Sequence, residues 1–147
     1  MTEEEKGLFL KDLSARLPYG VILNAPLWDE QDCEGKLTGI ADDGSMTLDL
    51  PTDWVFYPED VKPYLRPMSS MTEEEKKDLK EHTCPDGTGT FDEKYLKCPM
   101  SHYGERISYE FMSDILSWLN AHHFDYQGLI EKGLALPAPE GMYNFNQ

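Results

Sequence analysis

Residues 34 to 50 read EGKLTGIADDGSMTLDL, and their pattern decides the fold class. Two short runs, Glu34–Ile40 and Ser45–Leu50, flank Asp42-Asp43-Gly44. An Asp-Gly turn between such runs is a strong local hairpin signal. Gly35, Gly39 and Gly44 suit the bulges and tight bends of a small, strongly curved sheet. Working outward, Tyr19–Ala25 and Trp54–Tyr57 read as further strands, set off by Asn24-Ala25-Pro26 and Pro51-Thr52-Asp53. Asp60–Leu65 reads as a short turn or 3₁₀ element that closes the region. The pattern predicts a small antiparallel β-meander or an SH3-like barrel, two outcomes that periodicity does not separate.

Helical signals flank this region. Thr2 with Glu5 is a capping box, followed by Leu10, Leu13 and Leu17 at helical spacing and a stop at Pro18 and Gly20. Residues 71–76, MTEEEK, repeat residues 1–6 letter for letter. Both copies read as helix N-termini, although the second carries only Leu79 as an apolar residue before His82. Ile107–Leu136 holds the clearest 3.6-residue period: Ile107, Phe111, Ile115, Leu119 and His122, widened by Met112, Leu116 and Trp118. Asp125 predicts a second short helix running to Gly133. The rest of the chain is expected to pack on this stretch. The fold class is therefore α+β, with an N-terminal helix and β-meander or barrel at 1–67. A helical C-terminal region at 68–147 is expected to pack on it as one compact unit.

The chain has 147 residues, a net charge of −15 and 39% hydrophobic residues, enough for a folded core. Its pI near 4.5 argues against direct nucleic-acid binding, which depends on Lys and Arg displacing counterions. The charge is concentrated: ten acidic residues and one basic one lie between Leu27 and Val61. They are Asp29, Glu30, Asp32, Glu34, Asp42, Asp43, Asp49, Asp53, Glu59 and Asp60, and they form the candidate binding surface for a basic protein. No EF-hand spacing is present. The N-terminus lacks the features of a secretory signal, and no apolar run reaches membrane-spanning length. Cys33, Cys84 and Cys98 are too few for a disulfide framework, so a cytoplasmic location without membrane association is expected.

Three clusters carry possible chemistry. Asp86-Gly87-Thr88-Gly89-Thr90 is similar to the phosphorylated loop of P-type ATPases, but no apolar strand precedes it, so it reads as turn sequence. His82 and Cys84 with Cys98 and His102 supply two histidines and two cysteines for a zinc site, although neither half has the usual Cys-x₂-Cys spacing. The bland alternative is a loop bearing thiols and surface histidines, with no cofactor. His122, His123 and Asp125 lie together in sequence, but adjacent helical side chains diverge by about 100°, which favours a structural role.

Several blocks resemble a family of short uncharacterised proteins of gut anaerobic bacteria and their phages and mobile elements. These blocks are Leu17–Val21, Val61–Glu75, Trp118–Tyr126, Gly128–Ala135 and Ala138–Tyr143. The resemblance implies a small cytoplasmic protein and brings no activity or catalytic residue with it. The sequence therefore favours a non-enzymatic protein-interaction module, with a mobile-element origin implied by the resemblance. The first alternative is an acidic nucleic-acid mimic that inhibits a DNA-binding or defence enzyme. A small metal-dependent hydrolase ranks last, because no nucleophile–base pair is visible.

Overall fold

In the computed structural model the chain is described over residues 1–26, 32–50, 55–83 and 109–143, without the side chains of 26, 32, 82–83 and 109–112. The fold is α+β: an N-terminal helix, a five-stranded mixed sheet and a helix near the C-terminus. The chain divides into two compact units, Met1–Leu65 with Gln127–Gln147, and Arg66–Tyr126. No helix among the described residues is long and apolar enough to cross a membrane.

Helix α1 (Glu3–Arg16) starts as its sequence dictates. The Glu5 backbone N–H donates to Thr2 Oγ1 at 3.1 Å, and the Thr2 N–H donates to Glu5 Oε1 at 3.0 Å. The helix gives way to a 3₁₀ turn at Leu17–Tyr19, and Gly20 takes φ 71°. Its buried stripe is Phe9, Asp12, Leu13 and Arg16. The leucine face read from sequence is thus rotated, with Leu10 and Leu17 half-buried at its margin. Asp12 and Arg16 lie inside as a two-bonded ion pair. Arg16 Nε donates to Asp12 Oδ2 at 2.7 Å and Nη2 to Oδ1 at 3.2 Å, replacing hydration lost on burial.

The sheet order is β3-β2-β1-β4-β5. Strands β1 (Ile22–Pro26), β2 (Asp32–Ile40) and β3 (Met46–Leu48) run antiparallel in sequence, as the hairpin signal predicts. At the β2–β3 turn Asp43 Oδ1 accepts from the Ser45 N–H at 2.9 Å and from its hydroxyl at 2.6 Å, and Gly44 takes φ 86°. Beyond β3, Met46 pairs with Phe56, and a 3₁₀ turn at Pro58–Asp60 follows. Residues 62–65 are then a strand, β4 (Lys62–Leu65), where the sequence predicts a turn. It alternates outward Lys62 and Tyr64 with buried Pro63 and Leu65, and it returns antiparallel to β1 with Leu23 opposite Pro63. Pro63 is tolerated because this pairing spans two residue pairs and needs no long ladder.

Strand β5 (Leu136–Pro137) lies parallel to β4. The helix predicted from Asp125 to Gly133 is absent. Gly128 and Gly133 both take left-handed φ, 73° and 74°, leaving four residues between them. Four residues are too few to repay helix nucleation, so the chain runs as successive turns. These turns place Leu129, Leu134 and Ala135 in one core with Phe9, Leu13, Val21, Leu23, Leu37, Met46, Phe56 and Leu65.

The second unit holds α2 (Glu73–Thr83) and α3 (Tyr109–Ala121), with a core of Met71, Leu79, Ile115, Trp118, Leu119 and Phe124. Thr72 and Glu75 reproduce the Thr2–Glu5 cap at 3.0 and 3.1 Å. Backbone hydrogen bonds close the end of α3. The Phe124 N–H donates to Leu119 O at 3.0 Å and the His123 N–H to Asn120 O at 3.1 Å, while His123 takes φ 63°. This is a Schellman cap with histidine where glycine is usual. The chain passes from the second unit to the first after Tyr126, so the described part of Ile107–Leu136 is shared between them.

Candidate interaction surface

Acidic side chains gather where α1, the β2–β3 turn and the Pro58–Asp60 turn meet. A Cβ placed on Gly44 would lie 3.3 Å from Leu10 Cδ1 and 3.9 Å from Pro58 Cγ, so these segments are in contact. The antiparallel pairing of Met46 with Phe56 sets Ser45 opposite Tyr57. Phe56 is buried, and its neighbours Val55 and Tyr57 point to the opposite face, each 48% exposed. The Tyr57 N–H donates to Asp60 Oδ2 at 3.3 Å, and the Asp60 N–H donates to Tyr57 O at 2.8 Å.

Of the ten acidic candidates, Asp29, Glu30 and Asp53 lie outside the described residues, as does the side chain of Asp32 in β2. Glu34, Asp42, Asp43, Asp49, Glu59 and Asp60 are all exposed. Several also hold the fold locally. Asp49 Oδ1 accepts from the Lys36 N–H at 2.6 Å across the β2–β3 pair, Asp60 closes its 3₁₀ turn, and Asp43 closes the hairpin. The Ser45 hydroxyl and N–H lower the Asp43 carboxyl below its ordinary range by stabilising its charged form. Glu59 lies 3.9 Å from Lys6 Nζ, a contact of partly exposed groups worth little on its own. The structure thus brings Asp42, Asp43, Glu59 and Asp60 to adjoining turns of the first unit, and it places Glu34 on β2 and Asp49 just beyond β3.

The zinc candidates Cys84, Cys98 and His102 lie outside the described residues, and so does the side chain of His82 on α2. Asp86–Thr90 also lies outside them. Among the described residues no group of three or more His, Cys, Asp or Glu could hold a metal ion.

His122, His123 and Asp125 do not converge on one site. The His122 ring stacks on Trp118 at 3.9 Å, and its Nδ1 lies 2.9 Å from Trp118 O. His123 is the buried cap residue, and the Asp125 N–H donates to Arg66 O at 2.9 Å. Arg66 is a joint that the sequence does not reveal. Its guanidinium sits 4.2 Å above the Phe124 ring and donates to both Glu75 oxygens at 2.6 and 2.7 Å. Phe124 in turn stacks on Trp118 at 5.8 Å, and Trp118 Nε1 donates to Asp78 Oδ2 at 2.9 Å. Every member of this ladder has a packing or hydrogen-bonding role within the second unit.

Comparison with protein-family models, with curated proteins and with solved structures finds no match for this chain.

Proposed function

We propose that this chain is a non-enzymatic protein-interaction module that binds through the acidic end of its first unit. One observation carries the reading: Val55 and Tyr57 stand side by side, about half exposed, on one face of the segment that extends the sheet. Large apolar side chains paired on a surface this polar fit a contact with another protein. The element order supports an SH3-like barrel: β1 to β3, the Phe56 bridge, a 3₁₀ turn and the return of β4 to β1. A cytoplasmic setting and a mobile-element origin belong to the same proposal and rest on the sequence. The reading requires no cofactor.

Affinity purification from the native host, with the wild type beside a Val55→Ser/Tyr57→Ser double variant, tests it. The expected result is a partner that survives moderate salt on the wild type and is lost from the double variant. Equal retention by both, or retention by neither, overturns the reading.

A second reading, an acidic nucleic-acid mimic, draws on the exposure of Glu34, Asp42, Asp43, Asp49, Glu59 and Asp60. It requires a basic partner whose binding falls steeply with salt and competes with DNA. Replacing Asp29, Asp32, Asp42 and Asp43 by Asn should then weaken both effects, and unchanged competition would rule it out.

A further inference from the structure

We infer that the surface around Tyr57 is a docking site for an arginine side chain on a segment of the partner protein. The inference rests on the interaction reading above and gives its partner a chemistry. Three features of one small area carry it. The Tyr57 side chain is half exposed, which leaves an aromatic surface within reach of a planar cation. Val55, two residues earlier on the same face, offers apolar surface for the aliphatic stem of an arginine. Carboxylates sit on both segments that adjoin Tyr57. Asp60 is bonded to the Tyr57 backbone, and Asp43 is held by Ser45, the residue opposite Tyr57.

Charge selects the occupant. Asp42, Asp43, Glu59 and Asp60 bring four negative charges to these adjoining turns, with Lys6 3.9 Å from Glu59. An anionic ligand would be repelled and a purely apolar one would leave the carboxylates unused. Guanidinium satisfies both requirements, because it stacks on an aromatic face while its edge forks onto carboxylates. An ammonium group gains the charge attraction without the planar stacking, so arginine should bind better than lysine.

The test uses the full chain and two fluorescein-labelled peptides, one carrying four arginines spaced by glycine and the other four lysines in the same frame. The arginine peptide should bind about two- to fivefold tighter than the lysine peptide. Tyr57→Ser should erase that preference while leaving residual, salt-sensitive binding of both. Asp42→Asn/Glu59→Gln should weaken both peptides alike and keep the preference. Glu131→Gln/Glu140→Gln, which removes two exposed acids elsewhere, should change neither. Circular dichroism on each variant establishes that it is folded.

Equal affinity for the two peptides, or a preference that survives in folded Tyr57→Ser, overturns the inference. So does equal weakening by the Glu131/Glu140 variant, which would mark a diffuse polyanion. If the peptides fail while a host partner still depends on Val55 and Tyr57, the arginine assignment falls and the interaction reading stands.

Discussion

The Tyr143 hydroxyl donates to the Tyr64 backbone carbonyl at 2.7 Å, and in the same position it accepts from the Ile22 N–H at 2.9 Å. Strands β1 and β4 pair at Leu23–Pro63, and continuing that register would set Ile22 opposite Tyr64. A phenol from the last described turn therefore joins two strands that lie more than seventy residues before it. Tyr143→Phe would keep the ring and leave both backbone groups without this partner. We expect a loss of about 1–3 kcal/mol, read as a lower urea midpoint at an unchanged m-value.

The same hydroxyl makes stability depend on alkaline pH. Burial pushes the Tyr143 pKa from 10.0 up to about 12. Below pH 10 the group is neutral in both folded and unfolded chains, so its contribution is fully present. Between pH 10 and about 12 the unfolded chain ionises first, and stability falls by up to about 1.4 kcal/mol per pH unit. Wild type minus Tyr143→Phe, measured by urea unfolding across that window, should show this loss. A difference that does not change from pH 9 to pH 12 would contradict it.

The two MTEEEK copies should respond differently to the same change. The Glu5 carboxylate closes its own cap, whereas that of Glu75 closes its cap and also holds both arms of Arg66. Burial acts to raise the Glu75 carboxyl, but the Arg66 hydrogen bonds, the Thr72 N–H and the Arg66 charge outweigh it and the net shift is downward. The stability this gives is present above the ordinary glutamate range and is lost as pH falls through the lowered value. Glu75→Gln should cost about 1–2 kcal/mol at neutral pH and flatten the acid side of the stability profile. Glu5→Gln should change the denaturation curve far less.

Arg66→Lys tests the joint from the other side. Lysine keeps the charge but loses the two-armed bond to Glu75 and the flat contact over Phe124. A loss of about 1 kcal/mol is expected, with altered Trp118 fluorescence because Phe124 stacks on that indole.

Two glycine substitutions should have opposite signs. Gly7 lies within α1 with nothing within 4 Å of a Cβ, so Gly7→Ala should stabilise by about 1 kcal/mol. At Gly35 an added Cβ would meet Leu50 Cγ at 3.1 Å and Leu48 Cβ at 3.2 Å. Gly35→Ala must spread the β2–β3 pair and should cost about 1–3 kcal/mol. Thermal melts of the two variants beside wild type would show both effects.

Features legible in the sequence were those set by neighbours along the chain. The caps at Thr2 and Thr72 need only a residue three places on, and the Asp42-Asp43-Gly44 hairpin needs only its own turn. The period of α3 likewise marks Ile115, Trp118 and Leu119 as buried. Local signals failed where distant partners decide. Asp125–Gly133 has a helix-like cap and stop, but its apolar residues are needed in the core of the first unit. Lys62–Leu65 looks like a turn around Pro63 until β1 and β5 pair on its two sides.

The surface follows the same division. The sequence by itself placed the acidic charge between Leu27 and Val61 and the apolar content that forces a core, because both are properties of composition. Tertiary structure decided that the Asp43 turn lies beside the Tyr57 segment, that Arg66 reaches Glu75 and Phe124, and that Tyr143 closes β1 against β4. Each of these joins residues of separate elements, and only the hydrophobic core that draws those elements together fixes which side chains become neighbours.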